Sequence, residues 1–90
     1  MLRLTHNTTF MSLKLKIVSP EKVVYEGEVD SVLVPGTKGP FEILNDHAAI
    51  VSTLEKGVVE IGTSQGKQQI PISNGFVEVH KNNVSICAEL

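Results

Sequence analysis

The stretch Gly57-Val58-Val59-Glu60-Ile61-Gly62-Thr63-Ser64-Gln65-Gly66-Lys67-Gln68-Gln69-Ile70-Pro71-Ile72 decides the fold class. Gly57 to Ile61 and Gln68 to Ile72 are short runs with β-branched residues at alternate positions, which is the period of a half-buried strand. Ser64, Gln65 and Gly66 supply the turn between them, so the two runs are expected to pair as a hairpin.

The same pattern extends outward. Leu13, Leu15 and Ile17 alternate with Lys14 and Lys16, one face apolar and one in water. Pro20 and Glu21 break that strand, Val23 to Tyr25 resumes it, and Gly27 punctuates it. Val29 to Val34 reads as one more deeply buried strand, stopped by Pro35 and Gly36 because proline lacks the ladder N–H. Phe41 to Leu44 is short and extended. Asp46 to Thr53 is ambiguous: His47, Ala48 and Ala49 allow one helical turn, whereas Ile50 and Val51 favour a strand. Asn74-Gly75 is a strong turn dipeptide. Phe76 to Val79 follows, Lys81-Asn82-Asn83 turns the chain, and Val84, Ile86 and Ala88 alternate with Ser85 and Cys87.

No segment holds ten residues at helical period. Turn signals recur about every ten residues, which predicts an all-β fold, a small sandwich or flattened barrel of about nine to ten short strands without substantial helix. Its inner faces are expected to meet through Leu15, Ile17, Val32, Val34, Val59, Ile61, Ile70, Ile72, Val77, Val79, Val84 and Ile86. Phe76 is expected in the core, and Cys87 as a small packed side chain. For Phe41, core residue and contact anchor are both open.

Composition narrows the function. The 90 residues make one small domain. A formal charge of −2 argues against a nucleic-acid partner. A single cysteine, Cys87, cannot form an internal disulfide. No apolar run approaches the ~20 residues that cross a bilayer. The expected domain is 13–90. Residues 1–12 read as a leader or a mis-assigned start, with Met11 as the alternative first residue; they have neither the length nor the arginines of a targeting peptide.

Catalytic signals are sparse. His6, His47 and His80 have no metal-ligand spacing. Asp46 and His47 resemble an acid–base pair, but neighbours in extended chain point opposite ways. No nucleophile motif surrounds Thr37, Ser52 or Cys87. Gly36 to Gly39 is too short for a phosphate-cradling loop and lacks a following helix. What remains is the segment Pro35 to Leu54, whose two glycines, two prolines and lone histidine suit a loop presented to a partner by a rigid sheet.

These residues carry a resemblance. From Leu13 to Leu90 the chain resembles the N-terminal β-sandwich of the epsilon subunit of the proton-translocating ATP synthase. Leu13-Lys-Leu-Lys-Ile-Val-Ser-Pro-Glu is similar to the family's opening strand and turn. Val24-Tyr-Glu-Gly-Glu-Val is similar to its second strand. Val34-Pro-Gly-Thr-Lys-Gly-Pro-Phe-Glu-Ile-Leu-Asn-Asp-His-Ala resembles its characteristic loop, with His47 and Ala48 intact. Leu54-Glu-Lys-Gly-Val-Val-Glu-Ile, Gly75-Phe-Val-Glu-Val and Asn83-Val-Ser-Ile-Cys-Ala-Glu resemble its later strands.

The resemblance implies a non-catalytic central-stalk subunit that binds the gamma subunit and sits against the c-ring, coupling proton-driven rotation to ATP synthesis. It implies ring or gamma contacts by Phe41, Glu42, Leu44, Asn45 and His47. It further implies no cofactor, no homo-oligomer, and a peripheral location on the cytoplasmic side of a bacterial inner membrane, held there only through the complex. The chain departs from the family pattern at Glu42, usually glycine, at Asn45 and Asp46, often proline or glycine, and at Pro40, frequently acidic or polar. Many members continue into an inhibitory helical hairpin; this chain stops at Leu90, by natural shortness or truncation, and no such inhibition is expected from it. Two other classes stay open: a free-standing module binding a protein or small ligand through Pro35–His47, and a small enzyme using Asp46 and His47.

Overall fold

The alternation of apolar and polar residues becomes an alternation of buried and exposed ones. In a computed structural model, which describes residues 12–90, nine strands form: β1 (Leu13–Val18), β2 (Val23–Val29), β3 (Ser31–Val34), β4 (Phe41–Ile43), β5 (Ile50–Leu54), β6 (Gly57–Thr63), β7 (Gly66–Ile72), β8 (Asn74–His80) and β9 (Asn83–Glu89). No helix forms among the described residues. The expected leader lies outside them except for Ser12.

Five strands build one sheet in the order β2-β1-β9-β8-β5, and four build the other in the order β4-β3-β6-β7. The first and last strands, β1 and β9, run parallel; the other pairings are antiparallel. The two sheets pack their apolar faces together. All twelve residues expected on the inner faces are buried, joined by Leu13, Val29, Ile43, Leu54 and Ala88. The hairpin read from Gly57 to Ile72 closes in register, Gly57 opposite Ile72 and Thr63 opposite Gly66. Pro71 is accommodated because β7 is an edge strand.

Four expectations are corrected or decided by the packing. Val29 to Val34 is two strands. The chain bends at Asp30 and passes from the five-stranded to the four-stranded sheet, with the Asp30 N–H donating to the Gly62 carbonyl at 2.7 Å. Asn74-Gly75 is no turn. The chain changes sheets one residue earlier, at Ser73, and Asn74 and Gly75 already pair with Glu89 and Ala88. Phe76 is not in the core but on the outer face, 45% exposed. Val77 takes the inward position, so the alternation that buries Val77 and Val79 turns Phe76 out. The ambiguous stretch after Asp46 makes no helical turn, and Ile50–Leu54 is a strand paired with β8. Cys87 lies opposite Phe76 on that outer face and is only half-buried.

One exposed cluster on the four-stranded sheet is electrostatically tuned. The Gln69 amide donates to Glu60 at 3.2 Å, and the Lys67 ammonium lies 3.2 Å from the same carboxylate. These hydrogen bonds and the lysine charge hold the Glu60 carboxyl below its ordinary value of 4.5. A depressed carboxylate contributes stability above its unfolded pKa and loses it as pH falls through the folded one. Screening at this surface keeps the contribution small. Lys67→Met is expected to raise the Glu60 midpoint toward 4.5 in a carbon-detected NMR titration. An unmoved midpoint would assign the shift to Gln69 alone.

Candidate functional site

The loop between β3 and β4 is stitched down at its start. The Thr37 N–H donates to the Thr53 carbonyl at 3.1 Å, and the Glu55 N–H to the Pro35 carbonyl at 2.9 Å. The Thr37 and Thr53 hydroxyls meet at 2.8 Å. Gly36 and Leu54 form an isolated bridge, so the loop closes one corner of the sandwich against β5. Gly36 is needed there: a Cβ would lie 2.7 Å from the Gly39 carbonyl oxygen and 3.0 Å from the Phe41 ring.

The next connection, between β4 and β5, carries the exposed tip. The His47 N–H donates to the Leu44 carbonyl at 3.1 Å, closing a four-residue turn, Leu44-Asn45-Asp46-His47. Asp46 has φ 65°, and Asn45, before it, is not in the left-handed region. That combination is a type II turn, which favours glycine at its third position. Leu44 stands 49% exposed at the tip. The His47 ring lies beside Phe41, centroids 6.2 Å apart and planes at 34°. Its Nδ1 lies 2.7 Å from the Ala48 carbonyl oxygen. A carbonyl only accepts, so Nδ1–H is the donor in this contact.

A second turn lies alongside. Lys81 and Asn82 both have positive φ, 50° and 63°, and join paired residues His80 and Asn83, as a two-residue type I′ hairpin requires. Asn82 reaches across to the first turn. Its Oδ1 accepts from the Asp46 N–H at 2.7 Å, and its Nδ2 donates to Asn45 Oδ1 at 3.0 Å. Asp46, His47, Ala49, His80, Lys81 and Asn82 thereby border one open depression of about 490 Å³.

The five residues carried over from the sequence therefore divide. Leu44, Asn45 and His47 share the tip. Phe41 is half-buried, packed on the core and beneath His47, so it supports the tip from below. Glu42 lies opposite Leu33 on the outer face of the four-stranded sheet, exposed. Asn82 was missed, because nothing in the sequence links position 82 to positions 45 and 46. No hydrogen bond or ion pair joins the Asp46 and His47 side chains, and His47 Nδ1 is engaged by the Ala48 carbonyl. Among the described residues no group of three histidine, cysteine or acidic side chains could hold a metal ion.

Residues 12–90 match the β-sandwich domain of the ATP synthase delta/epsilon chain. The chain belongs to that family. It is similar to the ATP synthase epsilon chain of Leptospira interrogans, 44% identical over 77 residues that cover 86% of this chain and 61% of the relative. It is similar also to the epsilon chain of Helicobacter pylori strain HPAG1, 46% identical with 86% and 63% covered. The chain thus spans about three-fifths of the length of these epsilon chains. Two solved assemblies contain chains of the same fold. The Euglena gracilis mitochondrial ATP synthase OSCP/F1/c-ring assembly superposes with a TM-score of 0.80 at 24% identity, covering 86% of this chain and 50% of that one. The Tetrahymena thermophila mitochondrial ATP synthase central stalk and c-ring assembly gives 0.74 at 17% identity, with 87% and 63% covered.

Proposed function

We propose that this epsilon-family sandwich is a non-catalytic component of the central stalk of a rotary ATP synthase. In this reading it binds the gamma subunit, presents the Leu44–His47 turn to the c-ring, and helps couple proton-driven rotation to ATP synthesis. The observation that carries the reading is the family match over residues 12–90. The geometry supports it with a hydrogen-bonded turn that leaves Leu44 exposed and sets the His47 ring beside Phe41. Torque transmission needs a firm contact of this kind and no bond-making. The location that follows is peripheral, on the cytoplasmic side of a bacterial inner membrane, reached through the complex; no helix among the described residues is long and apolar enough to cross a membrane.

The first test is size exclusion of this chain with its cognate gamma subunit, checked by native mass spectrometry. A one-to-one complex is expected. Elution alone at micromolar concentration would favour the free-standing binding module instead. The second test is Leu44→Asp in the reconstituted synthase. Burying leucine at a contact is worth about 1.5–3 kcal/mol, so its replacement by a charge is expected to weaken sandwich–ring association by about tenfold or more. ATP-driven proton pumping should fall relative to ATP hydrolysis. Full pumping by Leu44→Asp and by His47→Ala would remove the tip from the ring contact.

A further inference from the structure

We infer that Asn82, on the β8–β9 turn, is a positioning residue that sets the conformation of the Leu44–His47 tip. This rests on the reading of that tip as the ring contact.

The turn carries an unfavourable residue. Types I and II of a four-residue turn differ by a flip of the central peptide, here the one joining Asn45 to Asp46. Type II needs a positive φ at the third position, where glycine is at no steric cost and other residues are uncommon. Here Asp46 occupies that position at φ 65°. An aspartate tolerates this region better than most residues, but less readily than glycine. The restraint comes from 36 residues further along the chain: the flip would swing the Asp46 N–H away from Asn82 Oδ1, its acceptor at 2.7 Å. The other half of the same amide holds the Asn45 side chain at 3.0 Å. One side chain therefore grips the turn on both sides of the peptide that would flip.

Asn82 is itself rigidly held. It sits at φ 63° in a type I′ turn, a conformation that asparagine adopts readily, and its own carbonyl accepts from the Lys14 N–H at 2.9 Å. The grip thus passes from the five-stranded sheet, through β1 and the β8–β9 hairpin, to the tip. The flip would reverse the Asn45 carbonyl and redirect the Asn45 and Asp46 side chains at the centre of the tip, while Leu44 and His47 at its ends keep their places.

The test separates the clamp from the hairpin that carries it. Asn82→Gly deletes both side-chain contacts, while glycine fits the positive φ and leaves the backbone bond to Lys14 in place. In the full chain its Tm is expected to stay within a few degrees of the original. By NMR, exchange of the Asp46 amide hydrogen should rise about tenfold, the loss of one hydrogen bond. Asn82→Asp keeps the acceptor for the Asp46 N–H but loses the donor to Asn45 Oδ1, so it is expected to restore only part of the protection. In the reconstituted synthase Asn82→Gly should lower pumping relative to hydrolysis, and Asn82→Asp should recover part of it. Unchanged Asp46 exchange in Asn82→Gly would overturn the clamp. Faster exchange with full pumping, while Leu44→Asp still uncouples, would overturn the positioning role and leave the ring contact standing. If Leu44→Asp also pumps fully, the ring-contact reading itself has failed, and the positioning role with it.

Discussion

Gly75→Ala is expected to destabilise the domain by about 2–3 kcal/mol, the cost of forcing a methyl group into a packed interior. The added Cβ would collide with the Cys87 carbonyl oxygen and come within 3.0 Å of Ala88 Cα and 3.1 Å of its Cβ. These are mostly backbone atoms of the neighbouring strand β9, so no side-chain rotation relieves the clash. Strands β8 and β9 would have to separate locally, and they are inner strands of the larger sheet. A domain of this size has only about 5–10 kcal/mol to lose. The thermal midpoint should therefore drop by roughly 10–20 °C. Gly27→Ala is the control. It also lies within a strand, but its Cβ would meet nothing nearer than 3.8 Å, so a change within about 0.5 kcal/mol is expected. Equal losses at the two positions would show that glycine-to-alanine replacement in a strand, and not the close approach of β9, sets the cost.

Ile43→Ala carries the second large effect, about 2–5 kcal/mol for a fully buried isoleucine. Its importance comes from position. Strand β4 has three residues and pairs only with β3. Phe41 is half-buried and Glu42 exposed, so Ile43, at 0% exposure, is the strand's one fully buried anchor. It is also the residue before the Leu44 tip. Ile43→Ala is expected to lower the midpoint and, below it, to speed amide exchange in β4 and at His47 more than in β9. Ile43→Val, which keeps most of the contact, should cost about 0.5–1.5 kcal/mol. Exchange that accelerates evenly across all strands would show that β4 opens only with the whole domain.

Both expectations depend on features with different visibility in the sequence. Ile43 stands in a short extended run that was legible as such, although its burial was not. Gly75 was misread. Asn-Gly is a turn signal when the strands on either side pair with each other. Here β7 and β8 belong to different sheets, and the glycine serves a close approach to β9. Dipeptide signals report local conformational freedom, and which neighbour uses that freedom is a non-local fact. Phe76 was misplaced for a related reason: its apolar character argued for the core, but the two-residue period had already assigned Val77 and Val79 to that face.

The candidate tip divides in the same way. The resemblance brought Leu44, Asn45 and His47 forward together, and they do share one turn. It also brought Glu42, which the register of β4 places on the outer face of its sheet. Asn82 was visible as a turn residue but not as a partner of the tip.

From the sequence alone followed the all-β class, the hairpin from Gly57 to Ile72 and the twelve inward residues. These are set by alternation between neighbours one and two positions apart, so they are written locally. The tertiary structure alone decided where the chain changes sheets, at Asp30 and Ser73, and that β1 pairs with β9. It alone brought Asn82 to the peptide between Asn45 and Asp46. Those arrangements join residues tens of positions apart, and what selects them is the simultaneous burial of both sheets' apolar faces, which no local pattern contains.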